Sequence, residues 1–541
     1  MELLNSIGRE SKEHALDDRG CLTSTADLVL RLRGKGVTIW VEDGRVCYRT
    51  VKGVLTQQEI DALRRRKSEI IDYFQTSNAH ATAEPPLVPQ PDPNPAPLTF
   101  SQQWLWNVQG RQIRSFRTVY TAVRIAGPLD LDVLRLCVPE LLSRHESLRT
   151  RILLTGDVPL QEVAPVTRDG VEIVALSGCP EDDRERRAQA LIGTLICTPI
   201  TLTSDPLWKV LVLEMSDEEH VLALAMDHLI SDAVSIRILL RELLQAYTAA
   251  VRGVRLCLPK TSIQYRDYAL WQQRQQSFWS AKNESFWRRQ LAEGRRVPLF
   301  PGIPSDRTTL EFHSFPIQLT EKVSAALRSL SRQEATTLVM MVLCTYVALL
   351  LRWSNQSTLI VPFITMGRSR PELDNLIGYF AAPLFLRIEL AENDSFLDLL
   401  KYVTQTYWEA CEHDDFGRIA AQFPAPEFEP NSSFNWIPSE FTSADESFTD
   451  DLREGCVGSE IRVQPFSIGP LPQGFDWEGA WDREPVVFFT ENRDGIYGEI
   501  GWTGSSVSAE AIERFAKNFQ SVAEAFVRDP TVAVTSVSCV R

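Results

Sequence analysis

The stretch HVLALAMDHLISDAVSIRILLREL, residues 220–243, decides the fold. Its opening, His220 to Met226, is an apolar strand, and Ile236, Leu239, Leu240 and Leu243 recur at helical spacing. Asp227 to Ser235 is therefore the strand-to-helix turn of an α/β unit. Side chains at such a turn can project into a cleft, so His228 stands at the end of a rigid strand, where a general base would be held in place. A lone histidine near a core is more often a structural residue than a catalyst. Spacing alone leaves both readings open.

Outward from that turn, the chain of 541 residues exceeds what one hydrophobic core supports, so two or three units are expected. Hydrophobic residues at 44% and charged residues at 23% fit a globular protein. A net charge of −15 argues against a nucleic-acid partner, which needs clustered Lys and Arg. The longest apolar run, Leu338 to Leu351, is shorter than the ~18–20 residues of a membrane span and reads as a buried helix. The first residues, MELLNSIGRESKEHALDDRG, have no apolar core of a signal peptide, so residues 1–21 are expected to be disordered and the protein cytoplasmic. The ten cysteines form no CxxC pair or Cys/His cluster, and no glycine-rich phosphate loop occurs. No metal and no cofactor bound by the protein itself are expected.

Residues 76–97, TSNAHATAEPPLVPQPDPNPAP, carry seven prolines and almost nothing that could be buried, which predicts an extended Pro-rich tether. It sets off a unit at 22–75. There, Ala26 to Leu32 reads as a short helix. VTIWV (37–41) and RVCYR (45–49) read as strands joined through Asp43-Gly44, a strong hairpin signal. Thr56 and Glu59 stand at capping-box spacing before a helix whose face holds Ile60, Leu63, Ile70, Ile71 and Phe74. This α–β-hairpin–α unit has ten Lys or Arg against seven Asp or Glu, a balance of +3 on an acidic protein. Arg45, Arg49, Lys52, Arg64, Arg65 and Lys67 are its candidate docking residues for an acidic partner. Taken alone, the Arg64–Lys67 run is also an ordinary solvated helix face.

The residues GVTIWVEDGRVCYRTVKGVLTQQEIDALRRRKSEII (36–71) resemble the β-hairpin docking domains of the TubC N-terminal type. The resemblance implies an upstream synthase subunit that presents an acidic C-terminal tail, added as a strand to the hairpin edge. Residues 98–541 resemble nonribosomal peptide synthetase condensation domains, a branch of the chloramphenicol-acetyltransferase-like acyltransferases. MDHLISDAVS (226–235) looks like their MHHxxSDGxS motif. LTFSQQWLW (98–106), SRHESLRT (143–150), YRDYALWQ (265–272), MGR (366–368) and LIGYF (376–380) follow the family's order. Implied are two chloramphenicol-acetyltransferase-like lobes, here 98–275 and 276–541, forming a V-shaped pseudodimer with a central tunnel. His228 would be catalytic, and Asp232 structural, pairing with Arg368 or Arg149. Asn435, in the FNW strand at 434–436, and Ala233 would line the tunnel. The donor would be an acyl chain on the phosphopantetheine of an acyl or peptidyl carrier protein, and the acceptor a hydroxyl or amine.

Two positions depart from the pattern. The family's first histidine is Asp227 here and its glycine is Ala233. Asp227, Asp232 and Ser235 spell DxxxxDxxS, which is similar to the signature of heterocyclisation domains. Cyclisation therefore stays open as an alternative, as do a degenerate docking scaffold and an acyl-CoA-dependent transferase. No adenylation, carrier or thioesterase segment is legible after the lobes, which resembles stand-alone condensation enzymes that release a finished chain as an ester.

Overall fold

A computed structural model describes residues 5–6, 38–42, 45–49, 57–71, 86–90, 94–108, 113–115, 118–166, 170–254, 258, 261–275, 281–291, 312–368, 370–413, 433–437, 460–468, 486–492, 495–503 and 508–539. In the N-terminal unit β1 is Asn5–Ser6, β2 Thr38–Glu42, β3 Arg45–Arg49 and α1 Gln57–Arg65. The hairpin pairs Glu42 with Arg45 and Thr38 with Arg49, as the Asp-Gly turn dictates. β1 adds to the far edge of β3, Asn5 opposite Tyr48. Residues 5–6 thus depart from the disordered segment expected at 1–21, because β3 offers an unpaired edge that any extended segment can extend. The predicted helix at Ala26–Leu32, the capping position Thr56 and Lys52 lie outside the described residues.

The first lobe holds β4 Ala96–Pro97, α2 Phe100–Val108, β5 Thr118–Ala126, α3 Leu131–Arg144, β6 Thr150–Thr155, β7 Val158–Val163, β8 Val171–Ala175, α4 Glu181–Cys197, β9 Trp208–Ser216, β10 Glu219–Asp227, α5 Ala233–Val251 and α6 Tyr265–Arg274. The second holds α7 Ala281–Leu291, β11 Phe312–Gln318, α8 Glu321–Gln333, α9 Leu338–Ser354, β12 Thr358–Thr365, β13 Ala382–Glu389, α10 Phe396–Cys411, β14 Phe434–Trp436, β15 Arg462–Pro465, β16 Val486–Asn492, β17 Gly495–Thr503 and α11 Ala509–Arg528. Each lobe is built on one mixed sheet: β15-β5-β10-β9-β8 in the first, β11-β17-β16-β14-β12-β13 in the second.

β10 sits at the centre of its sheet and is buried on both faces, which is why its sequence is a continuous apolar run rather than an alternation. Leu222, Leu224 and Met226 join the cluster that includes Leu239 and Leu243 of α5, while Val221 and Ala223 pack with Ala188 and Ile192 of α4. Across the second sheet α9 is buried almost throughout, so its apolar composition serves a core. Among the described residues no single helix is long and apolar enough to cross a membrane.

Two features tie the expected units together. β15 comes from the second half of the sequence but pairs with β5, completing the outer edge of the first lobe's sheet. The Pro-rich stretch is not a free tether over its described part. Leu87 is buried with Ile263, Tyr265, Leu373, Leu376 and Phe380, and Ala96–Pro97 pairs with β7. One leucine and a few backbone groups among the prolines suffice to anchor it, since apolar burial of a leucine stabilises by about 1.5–3 kcal/mol.

Candidate active site

The turn after β10 is built by its own polar side chains. Asp227 Oδ1 accepts from the Leu229 N–H (2.8 Å), and Ser231 Oγ donates to the Asp227 carbonyl (2.9 Å). Asp227 is fully buried at 0% exposure, so it shapes the turn from within. His228 is half-buried at the tip. Its Nδ1 lies 2.8 Å from the Ser231 carbonyl. A carbonyl only accepts, so Nδ1 carries the proton and Nε2 is the basic nitrogen of the neutral ring. The ring meets Tyr379 of the second lobe edge-on at 4.9 Å.

Asp232 caps α5 through Ser235 N (2.8 Å) and Ser235 Oγ (2.7 Å). The same carboxylate takes Arg368 Nη2 at 3.0 Å on Oδ1 and 3.3 Å on Oδ2, and the Phe380 N–H at 3.2 Å. Both charged side chains are buried, at 5% and 6% exposure. Arg368 also donates to the carbonyls of Leu373 (2.5 Å) and Leu376 (2.9 Å), and its guanidinium lies 4.2 Å over the Phe380 ring. Of the two arginines offered as partners for Asp232, Arg149 is the wrong one. Its Nε and Nη1 reach the Leu142 and Ala164 carbonyls, and Glu146 faces it at 3.7 Å. Arg149 follows α3 directly in the chain, which ties it to local carbonyls rather than to the distant turn.

A seam of polar contacts joins the lobes here. Ser235 Oγ accepts from the Gly378 N–H (3.1 Å) and lies 2.8 Å from the Gly378 carbonyl, which competes with Asp232 for its one proton; Ser147 Oγ donates to the Ile377 carbonyl (2.6 Å), and Tyr265 Oη to the Tyr379 carbonyl (2.5 Å). The glycines of this seam are sterically required. A Cβ on Gly378 would stand 2.1 Å from the Tyr265 ring, and Gly367 has φ +63° with the Phe380 carbonyl 1.8 Å from an added Cβ. Ser147, Ser231, Ser235, Tyr265 and Tyr379 support the site; spacing marked Ser235 only through DxxxxDxxS and did not single out the other four. The signal available was that all five fall inside the ordered motifs.

Strand register sorts the two faces of the second sheet. Ile364, Asn435, Phe488 and Glu499 are successive cross-strand neighbours, hence on one face of the second sheet, and Phe434, Val487, Phe489 and Ile500 fill the core on the other. Asn435 Nδ2 donates to the Val487 carbonyl at 3.1 Å. Tyr120 of β5 is 40% exposed, yet burial, with the Glu499 carboxylate and the Cys197 thiol added, pushes its hydroxyl above the ordinary phenol range. Ala233 is the exposed first residue of α5, next to the His228 turn.

Of the candidate docking residues, Arg45 and Arg49 stand at the two ends of β3. Arg64 and Arg65 are exposed on α1, with Arg64 paired to Asp61 at 3.1 Å, and Lys67 is half-buried.

The Condensation domain family matches residues 94–445, and the TubC N-terminal docking domain matches residues 26–76. Phosphinothricin tripeptide synthetase PhsC of Streptomyces viridochromogenes is 31% identical over 368 residues, 66% of this chain and 34% of that protein. A linear gramicidin synthase polypeptide of Brevibacillus parabrevis is 29% identical over 448 residues, 80% of this chain and 8% of that protein. The chain thus spans only a small part of the curated relatives it matches. Among solved structures, the X-domain from teicoplanin biosynthesis superimposes with a TM-score of 0.71 at 22% identity, covering 84% of this chain and 100% of that one. The starter condensation domain of rhizomide synthetase RzmA, in complex with C8-CoA, gives 0.65 at 14% identity, covering 83% and 98%. These neighbours share the two-lobed chloramphenicol-acetyltransferase-like fold. The chain belongs to the condensation-domain family and carries a TubC N-terminal docking domain ahead of it.

Proposed function

We propose that the protein transfers an acyl chain from the phosphopantetheine thioester of a carrier protein to a hydroxyl acceptor, releasing the chain as an ester in the cytoplasm. The observation that carries the reading is the His228 ring, held by the Ser231 carbonyl with its basic Nε2 as the nitrogen able to take a proton. The acceptor oxygen attacks the thioester carbonyl while Nε2 takes its proton. The C–S bond then breaks, and the departing pantetheine sulfur recovers that proton from the imidazolium. Holding both reactants between the lobes supplies much of the remaining acceleration. Asp232 takes no proton in this scheme: it is committed to Arg368, Ser235 and Phe380 and keeps the turn in shape.

The ester reading rests on a resemblance to the ester-forming chain-release enzyme of the enacyloxin polyketide synthase. Against cyclisation stands the setting of Asp227, wholly buried and accepting from Leu229, rather than at the reacting surface. The docking unit would bring the upstream synthase, whose acidic C-terminal tail extends the hairpin and meets Arg45, Arg49, Lys52, Arg64, Arg65 and Lys67. No cofactor of its own is needed, since the carrier supplies the phosphopantetheine.

The test is a competition. Wild-type protein receives an acyl-loaded carrier protein and an equal mixture of an alcohol and its isosteric amine, and products are weighed by mass spectrometry. The reading expects ester in excess. Amide in excess would move the protein to peptide-bond formation, and no transfer to either would return it to the scaffold reading.

A further inference from the structure

Leu87 belongs to the segment that connects the docking unit to the lobes, yet its side chain is 6% exposed. It closes an apolar cluster drawn from both lobes: Ile263 and Tyr265 of the first, Leu373, Leu376 and Phe380 of the second. The backbone is pinned beside it, where the Gln90 N–H donates to Asp267 Oδ1 at 2.9 Å, while Asp267 Oδ2 accepts from Gln264 N at 2.7 Å. Pro86 and Pro89 flank the leucine and restrict the backbone that presents it.

Two chains of direct contact lead from this cluster to the His228 turn. Phe380 gives its N–H to Asp232 and its ring face to Arg368. Tyr265 meets the Phe380 ring edge-on at 5.0 Å, and its hydroxyl holds the carbonyl of Tyr379, whose ring stands against His228. Any movement of Phe380 or Tyr265 into space vacated at position 87 therefore shifts a partner of Asp232 or of the imidazole.

We infer that Leu87 is a positioning residue for His228, so that the connection to the docking unit forms part of the support of the reacting group. Its catalytic consequence rests on the proposed base role of His228, whereas its structural part does not. Truncation leaves a hole that the lining fills only in part. A longer flexible side chain such as methionine refills it.

The experiment uses the full chain with 15N-labelled histidine, the His228 ring signals being those lost in His228→Gln. In wild type they report the neutral ring protonated on Nδ1. Leu87→Ala is expected to shift these signals and mix the tautomers. It should lower kcat about tenfold on an acyl-loaded carrier, with KM little changed. Leu87→Met should restore both, and Val88→Ala, at a neighbouring exposed side chain, should change neither. His228 signals that stay in place in Leu87→Ala overturn the inference, whatever happens to melting temperature or turnover. Should Leu87→Ala not fold, Leu87→Val reads the same ring by the same criterion. If the signals move while His228→Ala still turns over, the positioning stands and the base role falls.

Discussion

Replacing Arg368 by methionine keeps most of the aliphatic stem and removes the guanidinium that joins the lobes at Asp232. The carboxylate, at 5% exposure, would keep Ser235 and Phe380 as donors but lose its cationic partner. The carbonyls of Leu373 and Leu376 would lose a donor as well. Leaving one member of a buried pair behind costs about 3–5 kcal/mol. Asp232→Asn removes the charge from the other side and keeps the shape, at about 1–3 kcal/mol for the weakened hydrogen bonds. Once the arginine is gone, the neutral asparagine relieves the buried charge, so the double variant should cost less than the two single changes together. The coupling expected is about 1–3 kcal/mol. Urea unfolding of the four proteins, followed by tryptophan fluorescence, measures it. Additivity to within about 0.5 kcal/mol would refute the claim that this pair clasps the lobes.

Three further outcomes follow from the same geometry. Gly378→Ala, whose Cβ meets the Tyr265 ring at 2.1 Å, should destabilise by roughly 1–3 kcal/mol and reduce turnover, read by urea midpoint and carrier-release assay; unchanged values would contradict the tight seam. Glu242 is buried, which by itself raises its carboxyl, but His145 at 2.7 Å and Arg144 at 2.9 Å outweigh burial and hold it below the ordinary range. A lowered folded pKa gives stability that is present above the unfolded value of about 4.3 and is lost as pH falls through the folded one. The stability gap between wild type and Glu242→Gln should therefore be widest near neutrality and close in acid; a gap constant with pH would count against the pairing. In the docking unit, Arg64→Glu and Arg65→Glu should each weaken binding of an Asp/Glu-rich C-terminal peptide roughly two- to fivefold, an effect that fades with salt. Calorimetric titration at two ionic strengths reads it, and a salt-independent or unchanged affinity would remove the electrostatic part of the docking proposal.

Much of this was legible because local chemistry carried it. The run from His220 to Leu243 spells strand, turn and helix, whereas the capping of that helix by Asp232 came only with the structure. Asp43-Gly44 likewise announces its hairpin. What could not be read depended on distant chain segments meeting. Arg149 and Arg368 were equal candidates for Asp232, since a sequence does not say which guanidinium the second lobe delivers. The four residues of β15, ending in proline, resemble a loop until β5 is seen to need an edge partner. Leu87 was hidden by composition: seven prolines in the stretch outweighed a side chain that packs with residues of both lobes. Tyr265 and Tyr379 gain their place in the site from their contacts with each other and with His228, which join segments distant in the chain.

The most direct measurement is a single-turnover comparison of wild type and His228→Ala, mixing each with acyl-loaded carrier protein and an alcohol acceptor and following loss of the acyl group by intact mass. General-base assistance is worth about 10²–10⁴-fold, so the variant should fold normally, bind the carrier as before and transfer slower by that factor. Transfer at the wild-type rate by a properly folded His228→Ala would contradict the account at its centre.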